Sequence, residues 1–119
     1  MSKKILIISD AAPFDGQRIR ESLDMALIFA AIDQDVSWLF TGASVLALTQ
    51  GANPNSIGIK DFFKQLKTLE IYDVDSLFAC EHALLEYKLS TEQLNVDVDP
   101  LSYQQQQRLI SEHDHVVKL

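Results

Sequence analysis

Residues 3–9 read KKILIIS. The residues from Ile5 to Ile8 are all aliphatic. They lack the alternation of apolar and polar side chains that is typical of a strand with one solvent-exposed face. A continuous apolar run of this kind is typical of a strand whose two faces are both covered, as in a parallel sheet packed between helices. The run therefore predicts a first strand inside an α/β layer structure.

The remainder of the chain alternates between strand-like and helix-like patterns. Further strands are predicted at VSWLF (36–40), SLFAC (76–80), QLNVDVD (93–99) and HVVKL (115–119). Helical patterns are predicted within 16–35, 45–48, 60–72 and 81–89, and in a last helix with Asp99 as N-cap and Pro100 as first residue. This alternation predicts a single α/β domain over residues 1–119, a three-layer sandwich with a mostly parallel five-stranded sheet and helices on both faces.

Composition narrows the classes of function. The chain has ten Lys and Arg residues against seventeen Asp and Glu, for a net charge of −7. Nucleic acids and anionic membranes are bound through clustered basic side chains, so direct binding to either is not expected. One cysteine allows no internal disulfide, and no apolar stretch approaches the ~20 residues of a membrane span. We expect a cytoplasmic protein.

The first long helix carries apolar side chains on two sides. Ile19, Leu23, Ala26, Leu27 and Ala30 form one stripe, and Met25, Ile28, Phe29 and Ile32 form a second, roughly opposite stripe. One stripe is expected to face the sheet. The second needs another cover, either a neighbouring helix of the same chain or a different subunit. Since so small a domain has few spare elements, we predict that the second stripe is a subunit interface.

Sites in open parallel sheets lie beyond the carboxyl ends of the strands. This rule selects Ser9 and Asp10 after the first strand, then Thr41 and Gly42 after the second. It also selects Cys80, which follows the third strand and precedes a helical pattern.

Two interpretations of Cys80 stay open. The unpaired N–H groups and dipole of a helix N-terminus favour a thiolate, which makes Cys80 a candidate catalytic residue. Glu81 beside it disfavours a second negative charge, and His82 points elsewhere because residues two apart on a helix do not face each other. The alternative is that Cys80 is a small buried apolar residue.

Other chemistries find no complete motif. The segment SDAAPFDG (9–16) is neither the glycine-rich dinucleotide loop nor a Walker A loop. A phosphoacceptor receiver would place an aspartate after the third strand, where Cys80 stands. HDH (113–115) has too few ligands for a convincing metal site. We expect no cofactor and no metal.

Several segments, taken in order, resemble the TusC/DsrF family. They are SDAAPFDGQRIRESLDMALIFAAID (9–33), VSWLFTGASVLAL (36–48), LKTLEIYDVDSLFAC (66–80) and HDHVVKL (113–119). The most specific features are an Ala-Pro after the first strand, the RE-x-LD pattern in the first helix, and YDVD leading into a strand that ends in cysteine. The resemblance covers nearly the whole chain.

The resemblance implies a DsrE-like fold and a place in a sulfur-relay complex. TusB-like and TusD-like subunits would be the partners, in a heterohexamer with two copies of each subunit. Such a complex passes persulfide sulfur to a TusE-like acceptor, towards 2-thiolation of the tRNA wobble uridine. The related DsrEFH complex serves sulfur oxidation. In both, the carrier cysteine belongs to the TusD/DsrE subunit, so no catalytic residue is assigned here and Cys80 remains a candidate.

Three hypotheses follow. The first is a non-carrier subunit that forms part of the assembly and has no activity alone. The second is an active cysteine sulfurtransferase that uses Cys80. The third is a homo-oligomeric module that binds a small ligand near Asp10, Thr41 and Cys80.

Overall fold

The computed structural model describes residues 3–10, 17–48, 76–90 and 98–118, without the side chains of 17–20 and 46–48. In chain order the elements are β1 (Lys4–Ser9), α1 (Gln17–Ala31), β2 (Asp35–Phe40), a 3-10 helix (Gly42–Leu48), β3 (Ser76–Cys80), α2 (Glu81–Glu86), β4 (Asp99–Leu101), α3 (Tyr103–Ser111) and β5 (His115–Lys118). The helix predicted at 60–72 and the strand residues predicted at 93–97 lie outside the described residues.

Within the described residues, the strands form a five-stranded sheet in the order β4-β3-β2-β1-β5. Every neighbouring pair is parallel, and the registers place Trp38 beside Ile7 on one side and Leu77 on the other. The predicted parallel α/β sheet is therefore confirmed. The uninterrupted aliphatic run of β1 is buried from Ile5 to Ile8, with β2 and β5 as its neighbours.

Helices cover both faces of the sheet. On one face α1 and α2 pack onto a cluster centred on Trp38 and Phe40, whose rings stack with centroids 4.6 Å apart. On the other face Leu109 of α3 packs against a smaller cluster that contains Leu6 and Leu39. Packing of helices on both faces of the sheet thus removes apolar side chains from water, and this burial is the main favourable term in folding.

The start of the last helix differs from the prediction. Asp99 and Pro100 lie in β4, which pairs with β3, and α3 begins at Tyr103. Ser102 is the N-cap: its Oγ accepts from the N–H of Gln105 at 3.3 Å, and Oε1 of Gln105 accepts from the N–H of Ser102 at 2.8 Å. This reciprocal capping box stabilises the helix start, whereas Pro100, which has no N–H to donate, sits on the outermost strand.

Two other helices end earlier than the sequence pattern predicted. Helix α2 stops at Glu86 rather than at residue 89, and Lys88 just beyond it takes a left-handed conformation with φ of 56°. Helix α1 stops at Ala31, followed by Asp33 with φ of 62°. A residue with positive φ cannot continue a right-handed helix, so each of these residues lies just past a helix end.

Candidate functional site

The carboxyl ends of β1 and β2 are held together by hydrogen bonds to one carbonyl. The carbonyl oxygen of Ser9 accepts from the N–H of Thr41 at 2.8 Å, from Oγ1 of Thr41 at 3.2 Å and from Oγ of Ser44 at 2.6 Å. Gly42 has φ of +53°, and a Cβ added there would lie 3.3 Å from the carbonyl oxygen of Asp10. Backbone and hydroxyl groups are therefore closely packed at the carboxyl ends of β1 and β2.

A buried network of hydrogen bonds connects the carboxyl end of β1 to α1. Nε1 of Trp38 donates to Oγ of Ser9 at 2.9 Å, and that hydroxyl donates to Oγ of Ser22 at 2.8 Å. All three side chains are buried, so the bonds satisfy groups that would otherwise cost free energy to remove from water. Sequence reasoning selected Ser9 and missed the other two. The position of Ser22 beside the apolar stripe of α1 could have indicated a buried serine that needs a hydrogen-bond partner.

Cys80 also lies at the carboxyl ends of the strands, and its thiol is buried. It is the last residue of β3 and the N-cap of α2, yet its side chain makes no capping hydrogen bond. Only 3% of the residue is exposed, and it belongs to the apolar cluster that also contains Ala83 and Leu84. Cys80 is thus the last residue of the third strand, and its side chain occupies a small apolar site.

The neighbouring polar side chains do not converge on Cys80. The exposed ring of His82 stands beside the ring of Tyr103, with centroids 5.6 Å apart. Asp10 forms an exposed ion pair with Lys118, 3.5 Å between Oδ2 and Nζ. Within the part of the chain that the structure describes, no hydrogen bond joins Cys80 to His82, so the geometry offers no local cysteine–histidine pair.

The three residues of the HDH segment make different contacts and do not form a common site. Nδ1 of His113 lies 2.7 Å from the carbonyl oxygen of Leu109, and Oδ2 of Asp114 accepts from the N–H of Lys4 at 2.8 Å. His115 is exposed in β5. Over residues 3–10, 17–48, 76–90 and 98–118, no group of three or more potential metal ligands was found. His113 and Asp114 instead fasten the turn between α3 and β5.

The second stripe of α1 divides into two kinds of residue. Met25 and Phe29 are half-buried and pack against the same core cluster as the first stripe. Ile28 and Ile32 are 61% and 59% exposed. The packing within the chain therefore accounts for part of the stripe, and the two isoleucines are left as a pair of apolar side chains facing water.

No helix in the described residues is both long enough and apolar enough to span a bilayer.

Solved structures show the same architecture over the full chain. The crystal structure of the ychN protein from E. coli matches with a TM-score of 0.82 at 20% identity, covering 100% of both chains. The structure of MTH1491, a protein of unknown function from Methanobacterium thermoautotrophicum, matches with a TM-score of 0.70 at 15% identity, again over 100% of both chains. At these identities the likeness concerns the fold.

Curated relatives give a closer match in sequence. A protein TusC homolog of Pseudomonas aeruginosa is 34% identical over 119 residues, 100% of both chains. A protein TusC homolog of Aliivibrio fischeri is 30% identical over 110 residues, 92% of this chain and 93% of that protein. The resemblance drawn from the sequence is confirmed by these relatives. The model of the DsrE/DsrF-like family matches residues 3–119, and the chain belongs to that family.

Proposed function

We propose that this chain is a non-carrier subunit of a cytoplasmic sulfur-relay complex that passes persulfide sulfur towards 2-thiolation of the tRNA wobble uridine. Its partners in this proposal are TusB-like and TusD-like subunits, two copies of each, and a TusE-like acceptor reached through the complex. The chain contributes assembly contacts and has no activity alone. Family membership and the TusC-named relatives support the class of system.

The burial of Cys80 is the observation that carries the non-carrier role. In a persulfide transfer, the acceptor thiolate attacks the outer sulfur of the donor persulfide; a new S–S bond forms and the donor leaves as a thiolate, without net oxidation. The acceptor sulfur must therefore meet a sulfur atom on another protein. Cys80 is 3% exposed and packs among apolar side chains, so such an approach requires local opening of the fold.

Two exposed isoleucines support the assembly role: Ile28 in the last turn of α1, and Ile32 directly after its last residue, Ala31. Ile28 and Ile32 lie on the segment predicted as an interface, and burying them against a partner would remove apolar surface from water. Met25 and Phe29 complete the predicted interface at their exposed edges, while their other sides pack on the core. In this proposal Ile28 and Ile32 supply the contact, and Met25 and Phe29 hold α1 in place behind them.

The charge of the chain fits a subunit that contacts other proteins rather than tRNA. With a net charge of −7, it offers few groups that could neutralise the phosphates of a tRNA. Contact with the tRNA is left to other components in this proposal.

The test is native mass spectrometry of the tagged chain purified from its own cells, followed by denaturing masses of every subunit. We expect three different small chains in equal number, with an added sulfur atom on a partner and none on this chain. Replacing Cys80 by serine should leave the sulfur on the partner. A lone chain, or a homo-oligomer without added sulfur, would refute the proposal.

An active cysteine sulfurtransferase is the second candidate, because Cys80 stands at the carboxyl end of β3 and at the first turn of α2. It predicts added sulfur on this chain itself that is lost in Cys80→Ser. It also predicts rapid alkylation of the native thiol, whereas the non-carrier proposal predicts alkylation that is slow until the chain is unfolded. The two measurements separate the candidates.

A further inference from the structure

The strand β5 ends the sheet in the described part of the chain, and its surface is open. His115 and Lys118 are exposed, Val116 is 41% exposed and Val117 is half-buried. An edge strand presents unpaired N–H and C=O groups that can accept a further strand. The opposite edge, β4, has only three residues, one of them Pro100, and is less suited to such pairing.

The direction of the backbone groups of β5 follows from one hydrogen bond. The N–H of Asp114 donates to the carbonyl oxygen of Lys4, so it points towards β1. Because successive backbone groups along a strand alternate in direction, those of Val116 and Lys118 also point towards β1. The N–H and C=O groups of His115 and Val117 then point outward.

We propose that β5 of one chain pairs antiparallel with β5 of a second copy, with Val116 opposite Val116 of that copy. In this register His115 lies opposite Val117, and these outward-pointing residues exchange four hydrogen bonds across the two-fold axis. Val116 meets its own counterpart in the central pair without backbone hydrogen bonds, where side chains come closest. The proposal goes beyond the sulfur-relay role and does not depend on it.

The side chains favour this register over its neighbours. Asp114 lies opposite Lys118 of the second copy, so each chain contributes one half of two opposite-charge pairs, in addition to the contacts of Asp114 with the N–H of Lys4 and of Lys118 with Asp10 within the chain. Val116 shares a sheet face with Leu6, its partner in register, so the valine pair extends an apolar surface that is already buried in each chain. A slip of two residues in either direction places Lys118 or Asp114 opposite Val116 and leaves only two hydrogen bonds within the four residues of β5.

Cross-linking tests the register. In a Cys80→Ala background, Val116→Cys is compared with His115→Cys and Val117→Cys in the full-length chain, alone and in the assembly with which it co-purifies. We expect the residue-116 variant to form a disulfide-linked dimer at least about ten-fold faster than the others, because its Cα atoms would be ~4.5 Å apart. Equal rates at the three positions, or a link from residue 116 only to a different protein, would overturn the proposal.

Charge variants give a second readout that does not depend on disulfide chemistry. Lys118→Glu places two acidic groups opposite each other, and sedimentation should show the dimer dissociating at several-fold higher protein concentration. Asp10→Asn is the matched control, since it removes the ion pair of Lys118 within the chain and leaves the pair across the strands intact. A dimer that is insensitive to Lys118→Glu, or that responds equally to Asp10→Asn, would contradict the register.

Discussion

Replacing Ile28 by lysine should break the proposed assembly without unfolding the chain. Ile28 is 61% exposed, so little of its side chain contributes to the core. Full burial of an isoleucine contributes about 1.5–3 kcal/mol, and the exposed part accordingly represents about 1–2 kcal/mol that a partner could gain. A lysine forfeits this gain and adds a charge that the interface would have to remove from water.

The effect on the monomer should be small. Ile28 lies in the last turn of α1, which has no basic residue, and a cation there interacts favourably with the helix dipole. Lysine also has a good helix propensity, so the free energy of unfolding should change by less than about 0.5 kcal/mol. Phe29 is a poorer target: it is half-buried against the core cluster, and a charge there would destabilise the fold itself.

The assay compares association with the co-purified partner subunits for the wild-type, Ile28→Lys and Leu85→Lys chains. Leu85 is a matched control, since it is 71% exposed on a different helix. We expect the dissociation constant to rise at least about ten-fold for Ile28→Lys, equivalent to 1.4 kcal/mol, and to stay within about two-fold for Leu85→Lys. Unchanged association of Ile28→Lys, or equal weakening by both variants, would refute the assignment of this face of α1.

Three further outcomes are expected. Gly42→Ala should lower the free energy of unfolding by about 1–2 kcal/mol, because its φ of +53° disfavours a side chain, and denaturant unfolding should show a smaller loss for Gly42→Asn. Ser102→Ala should cost about 1 kcal/mol by the same measurement through loss of the N-cap, while Ser102→Asp should cost much less; equal losses would argue against the capping box. Cys80 should be alkylated at least about a hundred-fold faster in denaturant than in the native chain, and comparable rates would show that its thiol is accessible.

The sequence was sufficient for the parts of this protein that depend on local pattern. The aliphatic run of β1, the apolar spacing of α1 and the alternation of strands with helices predicted the parallel α/β sheet, and the order of short segments predicted the family. The sequence also placed Cys80 at the end of β3. Individual strands and helices depend mainly on side chains a few residues apart, which is why the local pattern predicts them.

The tertiary structure decided what depends on contacts between distant residues. Asp99 and Ser102 are both acceptable N-caps in sequence, and the pairing of Asp99 with β3 selected Ser102. Phe29 and Ile28 are adjacent apolar residues, yet only packing against the core separated the half-buried one from the exposed one. The enclosure of Cys80 likewise arises from elements that converge in space, because burial is a property of the folded chain and not of the local sequence.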